Sequence, residues 1–297
     1  MRAAGACARL VIPYPGERVR SQFVTVDGMN LHLVDYGGEG PPLLLVHGTG
    51  LVAQVWGVMA PYLTPHFRVY ALDRRGHGDS DKPEEGYELE NAVAEFAGVV
   101  ERLGGEGWSA VGHSSGGTSL GLATIRRPGL FRRVVMVDPI IFPRRIAHSA
   151  THDGHEFAER TRSRRDHWPS ARAMFDDLRH KRAFRTWRAE ALWDYVRHGA
   201  ETGEDGSVRL KCPPALEARM YGSSSNLDLI EEFRAIPVPT LVIRGEHTDR
   251  FPRGNAERVA ASNDKITLVE MAGLTHFPSM EDPEGVARLC VDFLASM

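Results

Sequence analysis

Residues 112–116 read G-H-S-S-G and follow the pattern G-x-S-x-G. The preceding run, 108–111, is typical of a short buried strand, and the small residues of 117–123 are typical of a helix start. The pattern therefore predicts that Ser114 lies at a sharp strand-to-helix turn. Strand and helix approach closely at such a turn, so the positions two before and two after the serine must lack a side chain. Gly112 and Gly116 meet that need.

A serine hydroxyl is a poor nucleophile at neutral pH, so it needs a base within hydrogen-bond reach and an acidic group that orients the base. We predict His276 as the base, because it follows the last predicted strand in a loop where residues 273–278 read G-L-T-H-F-P. His113 stands beside the serine, and its side chain cannot readily face Ser114 from the adjacent position. We therefore interpret His113 as a packing neighbour of the nucleophile.

Two aspartates are candidates for the acidic group, and the residues leave the choice open. Asp138 follows the apolar run 134–137, and Asp249 follows the strand predicted over 239–245. Both strands should end at the same edge of the sheet. Each aspartate also has an ordinary structural role available, since Asp138 could close a turn and Asp249 could cap the next helix. We favour Asp138 slightly.

Strands and helices alternate along the chain, which predicts an α/β fold with a mostly parallel, twisted sheet and helices on both faces. A hairpin of two alternating strands over 21–36 comes first. Further strands are predicted over 43–46, 68–72, 134–137, 239–245 and 266–270, and helices over 52–63, 89–103, 252–261 and 283–294.

The alternation stops at 143 and resumes at 234. The intervening segment is rich in arginine and histidine and has helical stretches over 171–178 and 189–196, but no strong buried strand. We therefore predict an N-terminal extension (1–20), a core (21–143 and 234–297) and an inserted, mainly helical cap (144–233).

The composition argues against several classes of protein. The chain has 297 residues, of which 42% are apolar and 25% charged, which fits one large globular domain with an insertion. Its formal net charge of −3 favours a small-molecule substrate over a nucleic acid. The three cysteines are widely spaced and form no C-x-x-C pattern, which argues against disulfides and a thiolate zinc site. No apolar run has the length of a signal peptide or a membrane span, so we expect a cytoplasmic protein without a membrane partner.

Four motifs occur in one order along the chain. Residues 47–48 read H-G, residues 73–80 read D-R-R-G-H-G-D-S, and the serine turn and the histidine loop follow. Together they resemble the α/β-hydrolase superfamily from Ser21 onward, the cap excepted. Epoxide hydrolases and haloalkane dehalogenases of that superfamily carry an aspartate where this chain has Ser114. The resemblance therefore implies the serine-nucleophile, esterase- or lactonase-like branch, with no cofactor.

The resemblance also implies roles for the histidine and the acid. His276 matches the histidine of the pattern G-x-x-H-x-P-x-x-E, which ends here at Glu281. The superfamily usually places its acid three residues past the glycine that ends the preceding strand, where this chain has Thr248. In some branches the acid instead follows the strand before, at the position of Asp138. Asp249 would serve if the loop carried one extra residue.

The developing oxyanion of an acyl transfer needs hydrogen-bond donors. The resemblance implies the backbone N–H groups of Ser115 and Thr49, with Gly50 in place of Thr49 if the loop register differs. Residues 73–80 are interpreted as scaffold that ties the loop below the site.

Two clusters in the predicted cap have a chemical and an ordinary interpretation. Three histidines with helical spacing have no carboxylate-rich or cysteine partner set, so we interpret them as a solvated helix and predict no metal site. A basic run is interpreted as a solvated face, with one arginine reaching a substrate carboxylate as the alternative. The histidines are His148, His152 and His155, and the basic run is Arg160, Arg162, Arg164, Arg165 and His167.

We therefore predict a serine hydrolase that cleaves a small ester, lactone or related carbonyl substrate through an acyl-enzyme. One alternative uses the same triad to cleave a carbon–carbon bond next to a ketone. The other is a slow-turnover ligand receptor on a hydrolase fold.

Overall fold

The structure is a computed structural model that describes residues 19–143, 158–222, 227–248 and 254–295. A central sheet of eight strands and a smaller sheet of three contain its strands. The strands are β1 (Arg20–Val26), β2 (Met29–Gly37), β3 (Pro42–Val46), β4 (Arg68–Leu72), β5 (Ser109–His113), β6 (Val134–Val137), β7 (His167–Trp168), β8 (Ala200–Thr202), β9 (Val208–Leu210), β10 (Thr240–Gly245) and β11 (Ile266–Met271).

The central sheet has eight strands in the order β1-β2-β4-β3-β5-β6-β10-β11. The hairpin β1–β2 and the pair β2–β4 are antiparallel, and the other neighbours are parallel. Because β3, β5, β6 and β10 are parallel, they all end at one edge of the sheet, where the loops that follow them meet. The predicted mostly parallel sheet is confirmed.

The helices are a 3-10 helix (Ala53–Val58), α1 (Ala60–Leu63), α2 (Asn91–Arg102), α3 (Ser115–Arg126), α4 (Ala171–Leu178), α5 (Ala189–His198), α6 (Pro214–Gly222), α7 (Leu229–Phe233), α8 (Gly254–Ser262), α9 (Pro278–Glu281) and α10 (Pro283–Ala295).

The strand β3 shows why the inner strands read as continuous apolar runs. Leu43 and Leu45 belong to the apolar cluster on one face of the sheet, and Leu44 and Val46 belong to the cluster on the other face. All four side chains are fully buried. Because helices cover both faces, alternation between polar and apolar residues disappears from such a strand.

The segment 158–222, between β6 and β10 in the chain, contains helices and also a small antiparallel sheet in the order β7-β9-β8. These strands have only two or three residues each and are partly exposed, so they are compatible with the expectation of no strong buried strand, and they are too short to give an alternating pattern in the sequence. The predicted cap boundaries, 144–233, and the N-terminal extension, 1–20, stay predictions, since 144–157, 223–226 and 1–18 lie outside the described residues.

We also compared the helices with the dimensions of a lipid bilayer. Within the described part of the chain, no helix is both long enough and apolar enough to cross one.

Candidate active site

Ser114 lies at the turn from β5 into α3, with φ 53° and ψ −125°. A positive φ is strained for a residue with a side chain, and such strain concentrates at functional sites. A Cβ at Gly112 would lie 2.6 Å from the Gly117 nitrogen, and a Cβ at Gly116 would lie 2.5 Å from the His47 carbonyl oxygen. Only glycine fits at these positions, which is the close approach that the sequence pattern indicates.

His276 reaches the serine from the loop after β11. Its Nε2 lies 3.1 Å from Ser114 Oγ, and both side chains are buried. The Glu281 carboxylate holds the loop by accepting a hydrogen bond from the Thr275 backbone N–H at 2.8 Å. His113 Nε2 donates to the His276 carbonyl oxygen at 2.8 Å. His113 therefore contacts the histidine loop, in keeping with its interpretation as a packing neighbour.

Asp138 follows β6 directly and is almost fully buried, with 2% of its surface exposed. Its Oδ1 lies 3.5 Å from His276 Nδ1, which is longer than an ordinary N–H···O hydrogen bond. Apo active sites often show such lengthened contacts. Ser114, His276 and Asp138 are thus brought together in the order that acyl transfer requires.

Thr248 occupies the position of the superfamily's more common acid, and its hydroxyl donates to Asp138 Oδ1 at 3.1 Å. The Gly245 backbone N–H lies 3.3 Å from Asp138 Oδ2 and donates to it. The loop after β10 thus supplies hydrogen bonds to the carboxylate that follows β6. Asp249, the other candidate acid, lies outside the described residues.

The predicted oxyanion donors meet where the loop after β3 touches the start of α3. The Thr49 backbone N–H donates to Ser115 Oγ at 3.0 Å, and the two hydroxyls lie 2.8 Å apart. The Gly50 N–H is directed elsewhere and donates to His77 Nε2 at 2.9 Å. This geometry favours the register in which Thr49, rather than Gly50, faces the site.

Residues 73–80 contact the loop after β3 through the Asp73 carboxylate. It accepts hydrogen bonds from the Ala53 N–H at 2.6 Å, from the Asp79 N–H at 3.1 Å and from His32 Nδ1 at 2.7 Å. Burial by itself would raise the pKa of Asp73, but the His32 hydrogen bond and neighbouring His47 lower the pKa to about 2. The contacts agree with the interpretation of this segment as scaffold.

Two buried histidines in this scaffold are held in their neutral forms. Burial lowers the pKa of His47 to about 4, although nearby Asp73 acts in the opposite direction. Burial also lowers the pKa of His77 well below its ordinary value. His47 Nε2 accepts from the Arg74 N–H, and His77 Nε2 accepts from the Gly50 N–H, which requires both rings to carry their proton on Nδ1.

Arg74 is a residue of the site that the sequence analysis placed in the scaffold. Its Nη1 donates to Ser115 Oγ at 2.7 Å, so the guanidinium lies beside the residue that follows the nucleophile. The adjacent Arg75 points away from it and pairs with the buried Glu95 at 2.5 Å. In the sequence, the only signal for this position is that Arg74 precedes Arg75 in the motif of residues 73–80, where the resemblance needs only Arg75.

An ion pair between two residues of the segment 158–222 lies over the same loop. Arg164 Nη2 is 2.6 Å from Glu217 Oε2, and a Cβ at Gly50 would lie 2.6 Å from Glu217 Oε1. Arg164 is thus the member of the basic run that reaches inward, and it meets a carboxylate of the protein itself. Arg162 instead pairs with Glu159 on the surface.

Aromatic side chains surround the histidine. The Phe277 ring lies 4.9 Å from the His276 ring, 5.4 Å from the His113 ring and 5.2 Å from the Trp187 ring, measured between centroids. Trp187 comes from the segment before α5, so this apolar wall joins the histidine loop to the segment 158–222. An apolar wall with a few polar groups is typical of a small-molecule site.

One group of side chains in the described ranges has the spacing of metal ligands. His32, Asp73 and Asp79 place ligand atoms within 4.8 Å of one another, but His32 and Asp73 form a hydrogen bond with each other. His148, His152 and His155 lie outside the described residues.

A serine, a histidine and an aspartate at the carboxyl edge of a parallel sheet define an α/β fold carrying a hydrolase-type site. The alpha/beta hydrolase family matches residues 43–289, and the chain belongs to that family and is an enzyme. The predicted fold and family are confirmed.

Two relatives, one named as a hydrolase and one as an esterase/perhydrolase, match most of this chain. The chain is 28% identical to 2-(acetamidomethylene)succinate hydrolase of Mesorhizobium japonicum, over 86% of this chain and 89% of the relative. It is 27% identical to a bifunctional esterase/perhydrolase of Acinetobacter calcoaceticus, over 92% of this chain and 98% of the relative. The crystal structure of E-2-(acetamidomethylene)succinate hydrolase matches with a TM-score of 0.81 at 24% identity, over 94% of this chain and 100% of the other.

Proposed function

We propose that the protein hydrolyses a small ester, lactone or related carbonyl compound through a covalent acyl-enzyme. The observation that carries this proposal is the 3.1 Å distance between His276 Nε2 and Ser114 Oγ at a strained strand-to-helix turn. Ser114 Oγ attacks the carbonyl carbon while His276 takes its proton, and His276 then gives the proton to the leaving group. Water activated by the same histidine releases the acid.

Asp138 orients His276 in this mechanism and stabilises the imidazolium that forms when the serine proton is transferred. The backbone N–H groups of Thr49 and Ser115 bind the oxyanion. For the Thr49 N–H to do so, it exchanges its present acceptor, Ser115 Oγ, for the substrate oxygen.

The names of two relatives support this choice of chemistry. One is named as an esterase and another as a hydrolase of an acetamidomethylene succinate. Both names fit nucleophilic attack on a carbonyl group.

The proposal is tested with a panel of short-chain 4-nitrophenyl esters and lactones under steady-state conditions, together with intact-protein mass spectrometry of acid-quenched reactions. We expect continuous turnover of at least one substrate and an acyl adduct on Ser114. The adduct should be absent from Ser114→Ala. Adduct formation without continued turnover would support a ligand receptor, and turnover that Ser114→Ala retains would overturn the proposal.

A further inference from the structure

The Arg74 guanidinium lies within the candidate active site. Its Nη1 is 2.7 Å from Ser115 Oγ, the oxygen that also accepts the Thr49 N–H at 3.0 Å. Its backbone N–H donates to Nε2 of the buried His47 at 3.1 Å, and this hydrogen bond fixes the position of the Arg74 backbone. Arg74 therefore contacts the residue that follows Ser114, at the place where the predicted oxyanion donors Thr49 and Ser115 meet.

Arg74 differs from neighbouring arginines in its electrostatic partners. Arg75 pairs with Glu95 and Arg164 pairs with Glu217, in each case within 2.6 Å. In the part of the chain that the structure describes, Arg74 forms no salt bridge, and Ser115 Oγ is the only acceptor of its guanidinium N–H groups. Burial lowers its pKa to about 10, with Glu95 acting in the opposite direction, so the group is cationic at neutral pH.

The surroundings do not neutralise this charge. Burial lowers the pKa of His47 and of His77, so both are uncharged at neutral pH. The Glu217 carboxylate over the loop after β3 forms an ion pair with Arg164. A partly buried guanidinium with unused N–H groups is well suited to bind a carboxylate through two parallel hydrogen bonds.

We propose that Arg74 binds a carboxylate of the substrate, so that the enzyme acts on carboxylic acids that carry their scissile ester or amide a few bonds from the acid group. This inference rests on the proposed function, because it assigns the substrate class of the same site. Arg74 is then a specificity-determining residue, and its contact with Ser115 Oγ holds it in place when no substrate is bound.

The test compares matched substrates that differ in one charge. Methyl hydrogen succinate and dimethyl succinate share an acyl chain and a leaving group, and acid release is followed in a pH-stat. We expect the wild type to have the higher kcat/KM for the anionic hemiester. Arg74→Gln should lower the ratio of anionic to neutral kcat/KM by about 10- to 100-fold, as expected for a hydrogen bond between charged groups, chiefly through KM.

Two further variants sharpen this result. Arg74→Lys keeps the positive charge but loses the paired, coplanar N–H donors of the guanidinium. The ratio of anionic to neutral kcat/KM should therefore fall by less than in Arg74→Gln. Arg172→Gln removes an exposed arginine that pairs with Asp176 on the cap surface, and it should leave the ratio unchanged. An equal loss on both substrates in Arg74→Gln would overturn the inference and leave Arg74 with the role of holding Ser115.

A binding measurement separates this inference from the proposed function. Calorimetry with Ser114→Ala needs no turnover, and it compares methyl hydrogen succinate with its neutral analogue methyl succinamate. At least about 10-fold tighter binding of the anion, lost in Ser114→Ala/Arg74→Gln, supports carboxylate recognition even if the wild type hydrolyses neither ester. Equal binding of the two compounds overturns it even if Ser114 is acylated by other esters.

Discussion

Two neighbouring strands, β5 and β6, each end in a residue with a side chain and a positive φ. Ser114 after β5 has φ 53°, and Asp138 after β6 has φ 45°. The turn at Ser114 is imposed by close approach of the backbone, since Gly112 and Gly116 have no room for a Cβ. The turn at Asp138 is held by hydrogen bonds, because its N–H donates to the Ile243 carbonyl at 2.6 Å and its carboxylate accepts from Thr248.

Two strained residues of one sheet are thus stabilised in two different ways, one by packing and one by hydrogen bonds. A residue in a sparsely populated backbone region costs about 1–3 kcal/mol, and surrounding structure must offset that cost. At Ser114 the offset comes from packing of strand against helix, so it depends on glycines in the local sequence. At Asp138 it comes from β10 and its loop, more than 100 residues further along the chain.

The largest effect should come from Ser114→Ala. Loss of the hydroxyl removes the proposed nucleophile, and triad serine knockouts cost on the order of 10⁶ in kcat. The Cβ is retained, so the turn and the melting temperature should stay nearly unchanged. Steady-state assay on the best ester of the panel measures the loss. Activity within 10-fold of the wild type would show that the strained serine is not the nucleophile.

Asp138→Asn should have the next largest effect. The amide cannot stabilise the imidazolium, and such a change costs about 10⁴ in kcat. Asp249→Asn is the matched control and should keep kcat near the wild-type value. If Asp249→Asn collapsed kcat and Asp138→Asn did not, the acid would come from the loop after β10, and the strained turn after β6 would be structural. Equal, modest losses would contradict a single acid.

The contrast between local packing at Ser114 and distant hydrogen bonds at Asp138 also explains which residues of this candidate site the sequence predicts. The glycines around Ser114 and the motif around His276 are local, so both residues could be named. The turn at Asp138 has no local signature, since what holds it is distant in the chain, and the choice between Asp138 and Asp249 therefore stayed open. The contact between Arg74 and Ser115 was not predicted, because the two residues are distant in sequence. The short strands of 158–222 were not predicted, because they are too short to give a repeating pattern.

Gly116→Ala should destabilise the fold by about 3 kcal/mol, because the added Cβ meets backbone atoms that cannot turn aside. The expected result is a melting temperature lower by several degrees. Gly254→Ala is the control, since a Cβ at Gly254 meets nothing within 4 Å. An unchanged melting temperature in Gly116→Ala would contradict the account of the turn as a packing constraint.

The smallest effect, measured over one pH unit, is a dependence of the free energy of unfolding on pH at the serine side of the site. His47, whose carbonyl oxygen faces Gly116, has a folded-state pKa of about 4, below the value of about 6.5 for an unfolded chain. The unfolded state therefore binds more protons between these values. The free energy of unfolding should fall as pH drops from about 6.5 towards about 4, by up to about 1.4 kcal/mol per pH unit from this group.

Urea unfolding at a series of pH values measures that slope, with His47→Gln as the comparison. The variant lacks the titrating ring, so its stability should fall less steeply with acid even if it is less stable throughout. Parallel curves for the two proteins would show that His47 does not carry the effect.

We propose above all that the strained Ser114 is a nucleophile activated by His276. The most direct test is the rate of labelling by a fluorophosphonate, followed by peptide mass spectrometry. We expect one label per chain on Ser114 and a labelling rate at least about 10³-fold lower in His276→Ala, because the serine loses its base. A label on another residue, or equal rates with and without His276, would contradict it.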